Sequence, residues 1–188
     1  MVAVQGSVGP HLRMLRALDV EAVEVRGPGD LDALDGVVLP GGESTTISQL
    51  LERSGLFDAL QDRLAAGMGA LGTCAGLILL ASDVRDGRAD QRSLGALEVA
   101  VRRNAFGRQA QSFEAELPVA GLAGERFPGV FIRAPVVERV GEGVTVLAEV
   151  DGRPVACRQG AILATAFHPE LSGDVRVHEA WLASLPPR

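Results

Sequence analysis

The sequence predicts an α/β fold: a three-layer sandwich with a mostly parallel central sheet and an antiparallel extension. Short apolar segments alternate with helix-like segments through residue 81, which is typical of βαβ units. In the second half, Asp151 and Gly152 lie between two apolar runs, a hairpin signal because a type I′ turn needs positive φ at both central positions. With 188 residues and no linker or repeat, the chain is expected to form a single domain over residues 1–188.

The elements of the first half follow from apolar spacing and chain-breaking residues. Alternating or β-branched apolar runs predict strands at 2–6, 21–25, 35–42 and 68–73. Apolar residues at helical spacing predict helices at 9–18 and 75–81, and two more that are separated at Gly55. We expect Ser44, Thr45 or Thr46 to cap the first of these two, since hydroxyl oxygens accept hydrogen bonds from the free amides at a helix start.

The second half changes character. Polar residues predict a loop at 83–93, and strand-like segments follow near 94–101, 111–117 and 130–133. The hairpin is expected at 145–158, a further strand at 161–167 and a closing helix at 173–185.

The net charge and the residue types present exclude several classes of function. The formal net charge of −6 argues against binding to a phosphate backbone, so no nucleic-acid partner is expected. All 18 cationic side chains are Arg, so the chain cannot form a lysine Schiff base. Because Tyr is also absent, general acid–base chemistry falls to His, Asp, Glu or Cys.

The two cysteines, Cys74 and Cys157, fit a reducing cytosol better than a disulfide framework, although a single bridge stays open. Neither has a neighbouring metal-ligand pattern, and we expect no metal and no cofactor. The chain starts without a basic segment, and its longest apolar run, 69–81, is too short to cross a bilayer. We therefore expect a cytoplasmic protein with no membrane partner.

Cys74 lies in "GTCAG", a G-x-C-x-G pattern where a strand passes into a helix. That context is typical of a nucleophile elbow, in which glycines remove Cβ atoms that would clash in the tight turn. The positive end of the following helix favours a thiolate there. A small buried hydrophobic residue is the alternative for Cys74, and packing is the better interpretation for Cys157.

His168 is the best candidate base of the three histidines. It ends a predicted strand, at the edge where α/β sheets carry their sites, whereas His11 and His178 are expected on partly solvated helix faces. Pro169 favours an extended backbone at His168, so Glu170 tends to point the same way. A carboxylate there would fix the imidazole tautomer, as in a catalytic triad. An ordinary strand end with a turn is the alternative for "HPE".

Two backbone amides are candidates for an oxyanion hole. The N–H of Ala75 follows the predicted nucleophile, and Gly42 in "PGGES" (40–44) can turn its amide outward after a buried strand. The alternative for "PGG" is a plain turn. No Gly-Lys-Ser/Thr follows, so the segment is not a Walker loop.

Together, "GTCAG" and "HPE" resemble the class I (triad) glutamine amidotransferases. "LPGGESTT" (39–46), "RNAFGRQ" (103–109), "SFEAEL" (112–117) and "VFIRAP" (130–135) resemble the glutaminase subunits of pyridoxal 5′-phosphate synthases, and the resemblance covers essentially the whole chain. It implies that Cys74, His168 and Glu170 hydrolyse L-glutamine to glutamate and ammonia through a thioester. It also implies a glutamine-binding set, namely Gly42, Glu43, Ser44, Arg103, Ile132 and Arg133.

The same resemblance implies a partner. The ammonia would pass to the synthase subunit of a hetero-oligomer that makes vitamin B6, and the glutaminase would be poorly active until it docks. The segment "VQGSVGPH" (4–11) would contribute to docking and to the oxyanion hole. On this basis the chain is expected to be classed both as a hydrolase and as a lyase.

Two alternatives stay open. The chain could be the glutaminase of another synthase, such as the one that makes imidazole glycerol phosphate. The motifs "GGEST" and "FIRAP" are the features that distinguish the two kinds of glutaminase. It could also be a noncatalytic redox or stress module of the same fold, which would have no need for "HPE".

Overall fold

The computed structural model describes residues 1–88, 90–103, 112–124 and 126–187. Within these ranges the helices are α1 (Val8–Ala17), α2 (Ser44–Arg53), α3 (Leu56–Ala65), α4 (Ala75–Leu80) and α5 (Arg176–Leu182). The strands are β1 (Gly36–Leu39), β2 (Gly69–Thr73), β3 (Ala81–Arg85), β4 (Leu97–Arg102), β5 (Ser112–Leu117), β6 (Phe127–Ile132), β7 (Val136–Val140), β8 (Thr145–Val150), β9 (Arg153–Gln159) and β10 (Ile162–Thr165).

A five-stranded sheet in the order β1-β2-β10-β9-β8 forms the centre. Strand β2 lies between β1 and β10 and is parallel to both, whereas β10, β9 and β8 pair antiparallel. Thr73 at the end of β2 is paired with Thr165 at the end of β10. The residues that follow these two strands therefore emerge side by side at one edge of the sheet.

Helices cover both faces of this sheet. A Cβ on Gly69 would contact Leu185, just after α5, whereas a Cβ on Gly72 would contact Leu80 in α4. Side chains of a strand alternate between faces, so residues 69 and 72 point to opposite sides. Helix α1 contacts α5 through His11 and His178, and α2 contacts α4. The result is the three-layer sandwich predicted from the sequence.

The remaining strands form a three-stranded sheet, β3-β4-β7, and a hairpin, β5-β6. The predicted turn at 151–152 joins β8 to β9, with φ of 51° at Asp151 and 71° at Gly152. The predicted α/β class with an antiparallel extension is confirmed, and in the central sheet two of the four pairings are parallel.

The helix that follows "PGG" starts differently from the prediction. Its N-cap is Glu43, whose carboxylate accepts hydrogen bonds from the amides of Thr45 and Thr46 at 3.2 and 2.6 Å. Ser44 and the two threonines are instead the first residues of α2. A glutamate side chain reaches amides two and three residues ahead, so it supplies the cap that the hydroxyl residues were expected to supply.

Two strand predictions are also wrong in extent, and two strands were not predicted. Segments 2–6 and 21–25 form only one parallel bridge, between Val2 and Val25, because Val25 is the single fully buried residue of 21–25. Strand β3 extends into the predicted loop, since an edge strand carries polar residues that resemble a loop in sequence. Strand β7 was missed for a similar reason: two of its five residues are exposed charged groups. Of the motif at 103–109, residues 104–109 lie outside the described residues.

Candidate active site

The turn from β2 into α4 holds Cys74 in a constrained backbone conformation. Its φ and ψ are 50° and −100°, in a region that non-glycine residues rarely adopt. A Cβ on Gly72 would lie 2.8 Å from the backbone carbonyl of Gly76, and a Cβ on Gly76 would collide with the carbonyl of Leu39. Both glycines of "GTCAG" are therefore required by close backbone approach, as a nucleophile elbow requires.

Backbone contacts from neighbouring strands anchor the elbow. The amide of Cys74 donates a hydrogen bond to the carbonyl of Thr165 at 2.8 Å, which joins the end of β2 to the end of β10. The thiol lies 3.8 Å from the carbonyl oxygen of Ile132, and the residue is 7% exposed. Cys74 is thus mostly enclosed but still borders a cavity.

His168 and Glu170 follow β10 at the same edge. Nδ1 of His168 lies 2.8 Å from Oε1 of Glu170, and the backbone amide of His168 is held by the carbonyl of Val130 at 2.8 Å. A carboxylate can only accept, so Nδ1 carries a proton and Nε2 is left for the thiol of Cys74, which lines the same cavity as the ring. The three residues therefore follow one another in the order thiol, imidazole, carboxylate.

The charged forms of His168 and Glu170 stabilise each other. Burial lowers the pKa of His168, but hydrogen bonds and charge from Cys74 and Glu170 outweigh it and raise that pKa to about 10. Burial raises the pKa of Glu170, yet the hydrogen bond from His168 and the nearby His11 bring it below its usual range. At neutral pH the imidazole of His168 is therefore protonated and the carboxylate of Glu170 is ionised.

A cavity of about 300 Å³ opens over the thiol. It is lined by most of the predicted site: Gly42, Glu43, Ser44, Cys74, Ala75, Arg103, Ile132, Arg133 and His168. Glu170 lies behind His168 and does not line it. Ser7, which belongs to the segment 4–11 expected near the oxyanion hole, also lines the cavity. Ile78 and Leu171 line it too and were missed, because nothing in their local sequence distinguishes them from ordinary helix or turn residues.

Two arginines line the cavity, and they differ in whether their guanidinium groups have partners among the described residues. Arg103 is held in place: it donates to Glu43 at 2.9 Å, to Thr45 at 2.9 Å and to Gln91 at 2.8 Å. Arg133, at a positive φ of 45°, makes no hydrogen bond or ion pair with any residue in the described part of the chain. Its guanidinium is the group best placed to pair with a carboxylate of a ligand.

The two predicted oxyanion donors also meet at the cavity. Gly42 and Ala75 both line it, and neither backbone N–H donates to another described residue. The carbonyl oxygen of the Gln5 side chain lies beside Gly42 and accepts a hydrogen bond from the amide of Glu43 at 3.3 Å. Residues 5 and 7 thus border the predicted oxyanion site.

The two histidines expected on solvated faces are completely buried, at 0% exposure. His11 lies behind the triad, with Nε2 3.4 Å from Oε2 of Glu170, and Nδ1 of His11 lies 2.9 Å from Nε2 of His178. The prediction failed because helical spacing shows which face is apolar but not that α1 and α5 meet over the end of β2. Cys157 is fully buried in β9 and, like Cys74, is a free thiol.

A larger cavity, of about 490 Å³, lies elsewhere, between the start of β1 and the C-terminal part of the chain. Met1, Leu15 and Trp181 are among its lining residues, and none of the described residues that line it is a cysteine or histidine. The smaller cavity, which is lined by Cys74 and His168, is therefore the candidate active site.

Comparison with known proteins agrees with this geometry. The SNO glutamine amidotransferase family matches residues 1–185. The chain belongs to this family. It is therefore a glutaminase, a hydrolase of the glutamine side-chain amide, and the lyase class expected from the sequence is wrong: the amidotransferase reaction of the family is a hydrolysis.

Curated relatives of this SNO-family glutaminase are similar over nearly their full length. A pyridoxal 5′-phosphate synthase subunit PdxT from Parafrankia sp. (strain EAN1pec) is 56% identical over 182 residues, covering 97% of this chain and 90% of the relative. The subunit PdxT from Salinispora arenicola (strain CNS-205) is 54% identical over 190 residues, covering 98% and 94%.

Solved structures support the same fold for the SNO-family chain. A crystal structure of a glutamine amidotransferase matches with a TM-score of 0.91 at 48% identity, covering 97% of this chain and 95% of that one. A glutamine amidotransferase from Thermotoga maritima matches with a TM-score of 0.63 at 15% identity, covering 97% and 78%, and shows the fold alone. None of the described helices is long and apolar enough to span a membrane.

Proposed function

We propose that this glutaminase releases ammonia from L-glutamine through a Cys74-His168-Glu170 triad and delivers it to the synthase subunit of a pyridoxal 5′-phosphate synthase. The observation that carries the proposal is the juxtaposition of three groups. The thiol of the strained elbow and the ring of His168 line one cavity, and a Cβ added at Gly41 would contact both residues. Glu170 holds Nδ1 of the ring at 2.8 Å.

The first half-reaction forms a thioester. The thiolate of Cys74 attacks the side-chain carbonyl carbon of glutamine, and the amide oxygen becomes an oxyanion facing the N–H groups of Gly42 and Ala75. The protonated ring of His168 then gives its Nε2 proton to the departing nitrogen, and ammonia leaves as the C–N bond breaks. Glu170 keeps the ring oriented and offsets its charge.

The second half-reaction restores the enzyme. The ring of His168, now neutral, takes a proton from water, whose oxygen attacks the thioester carbonyl. The C–S bond breaks, glutamate leaves, and the thiolate again faces a protonated imidazole. The raised pKa of His168 fits this cycle, because a ring that is protonated at neutral pH can give its proton to the departing nitrogen.

Substrate binding is assigned to the polar rim of the cavity. The guanidinium of Arg133, which has no partner among the described residues, suits the α-carboxylate of glutamine, and Ile132 lies next to it. Glu43 and Arg103, which form an ion pair at 2.9 Å, also line the cavity, as does Ser44. A carboxylate there can accept from the α-ammonium group of the substrate.

The assignment of a partner rests on the curated relatives and on composition. Relatives more than 50% identical are named as subunits of pyridoxal 5′-phosphate synthase. This chain has no lysine, so a ring-forming step through lysine imines must belong to a different subunit. We therefore place the chain in a cytoplasmic hetero-oligomer as its ammonia-producing subunit.

Glutamate release from glutamine tests the proposal, measured with and without a pyridoxal 5′-phosphate synthase core. We expect activity to rise when the core is added. Cys74→Ala should reduce activity to background in both conditions, while Cys157→Ala, the matched control, should leave it largely intact because Cys157 lies in β9 away from the cavity.

Two results would contradict the proposal. Equal activity in the Cys74 variant would exclude the triad. Stimulation only by a different synthase, such as an imidazole glycerol phosphate synthase core, would keep the triad and overturn the partner.

A further inference from the structure

Behind the triad lies a second line of buried polar groups that the chemistry above does not use. Oε1 of Glu170 is occupied by His168, and the remaining oxygen, Oε2, meets no hydrogen-bond criteria with any described residue. Nε2 of His11 lies 3.4 Å from that oxygen and 3.1 Å from the hydroxyl of Thr73. His11 thus touches both the triad acid and the residue before Cys74.

The line continues into α5. Nδ1 of His11 lies 2.9 Å from Nε2 of His178, and Nδ1 of His178 has no partner among the described residues. Both rings are 0% exposed, so water does not compete for these nitrogens. His11 therefore links four elements, namely α1, α5, the end of β2 and the turn Pro169–Leu171.

The position of each proton follows from the neighbours. If His11 carried its proton on Nδ1, the lone pair of Nε2 would face the ionised Glu170, which is repulsive. With the proton on Nε2, the N–H of His11 is donated to the hydroxyl of Thr73 at 3.1 Å and its positive end also faces the carboxylate at 3.4 Å, while Nδ1 accepts from the Nε2–H of His178. The unpartnered Nδ1 of His178 is then an acceptor rather than a buried N–H.

Both rings are neutral at physiological pH. Burial, with smaller contributions from repulsion by His168 and the N-terminal ammonium, outweighs attraction by Glu170 and lowers the pKa of His11 to about 4. Burial and then His11 lower the pKa of His178 to about 3, against a smaller opposing effect of Glu170. The neutral ring of His11 can orient the carboxylate of Glu170 through its N–H dipole. It leaves the negative charge of Glu170 free to stabilise the protonated ring of His168.

We infer that His11 and His178 are positioning residues for catalysis, a relay of two N–H donors from α5 through α1 that orients Glu170 and through it His168. The inference rests on the proposed function, since it assigns Glu170 as the triad acid. Neither histidine lines the substrate cavity. Their effect is therefore expected on turnover and not on substrate binding.

Steady-state glutaminase kinetics with the synthase core test this role. His11→Leu removes the donor, and we expect kcat to fall about 10- to 100-fold, as for other groups that orient a catalytic residue, with KM nearly unchanged. The acidic limb of the pH profile should shift upward by about half a pH unit or more, because the carboxylate loses a partner that favours its charged form.

Three further variants separate positioning from packing. His11→Gln keeps an N–H near the Nε2 position and should recover most of kcat. His178→Leu should cost less than His11→Leu, and the double variant should be no worse than His11→Leu alone, because the two residues act in series. Leu15→Ala, the packing control on α1, weakens the buried face of that helix and should leave kcat and the pH profile unchanged.

A second measurement does not depend on activity. In the ¹⁵N-labelled full chain, long-range ¹H–¹⁵N spectra of the rings should show His11 and His178 neutral and protonated on Nε2 from pH 8 down to about pH 5. A proton on Nδ1 of His11, or titration of either ring near pH 6.5, would overturn the relay.

The outcomes distinguish the inference from the function on which it rests. An active wild-type enzyme whose His11→Leu variant keeps its kcat and pH profile would refute the relay and leave the triad standing. An inactive wild-type enzyme in the presence of the synthase core would refute the proposed function, while the ring spectra would still report whether the two protons lie as inferred.

Discussion

At the scale of single residues, the site depends on places where a side chain is missing. Gly41 is the least obvious of them, because it lies in the "PGG" turn and outside the elbow. A Cβ added there would clash with Cε1 of His168, lie 2.9 Å from its Nδ1 and touch the Cβ of Cys74 at 3.5 Å. The turn is thus packed directly against the thiol and the base.

Gly41→Ala should therefore impair catalysis. The ring of His168 must move away from the new methyl group, and a misplacement of about 1 Å can reduce turnover about 100-fold. We expect a loss of that order in kcat. Gly29→Ala is the matched control, because a Cβ at that position meets nothing within 4 Å. Unchanged kcat in Gly41→Ala, measured by glutamate release, would show that the ring has room to adjust.

At the scale of elements, the start of α2 couples a helix cap to the substrate cavity. Glu43 caps the helix through the amides of Thr45 and Thr46 and pairs with Arg103 at 2.9 Å. Burial raises the pKa of Glu43, but hydrogen bonds from Thr46 and Thr45 and the charge of Arg103 outweigh it and hold the pKa below its usual range. One carboxylate therefore orders both the helix start and the arginine.

Glu43→Gln separates these two roles. The amide oxygen can still cap α2, so stability should change by less than about 0.5 kcal/mol, but the charge that pairs with Arg103 is lost. We expect KM for glutamine to rise about 3- to 5-fold, since a partly exposed ion pair is worth up to about 1 kcal/mol. Glu52→Gln on the same helix, whose carboxylate is 3.6 Å from Arg92, is the control and should leave KM unchanged.

At the scale of the whole molecule, stability in mild acid depends on two buried neutral rings. His11 and His178 have folded-state pKa values of about 4 and 3, below the 6.5 of an exposed histidine. Between pH 6.5 and 4 the unfolded chain therefore binds protons that the folded chain does not. Stability contributed by these groups is present above pH 6.5 and is lost as pH falls through this window.

We therefore expect the free energy of unfolding, measured by chemical denaturation at a series of pH values, to fall between pH 6.5 and 4. The slope should approach an uptake of about two protons on unfolding in the middle of the window. In His178→Leu the uptake should drop to about one. A slope that is the same in this variant would mean that His178 is already charged in the folded protein.

Much of the architecture follows from local patterns. Apolar spacing predicted α1, α2, α3 and the break at Gly55, which has a φ of 74°, and "DG" predicted the hairpin turn. The errors concern the polar edge strands and the N-cap of α2. Pairing with a neighbouring strand determines whether a polar segment becomes an edge strand, and the length of the Glu43 side chain determines that it caps α2. The roles of the individual site residues stay predictions, although the structure brings Cys74, His168 and Glu170 together.

The sequence by itself determined the chemistry that is available: a cysteine between glycines, a histidine and a carboxylate two residues apart, and no lysine. These are properties of single residues and of short spacings along the chain, and they do not depend on the tertiary structure. Only the tertiary structure decided how the groups meet. The parallel pairing of β2 with β10 brings residues 74 and 168 to one edge, and the packing of α1 against α5 buries His11 and His178 behind Glu170. Contacts between residues distant along the chain depend on strand order and helix packing, which no local pattern encodes.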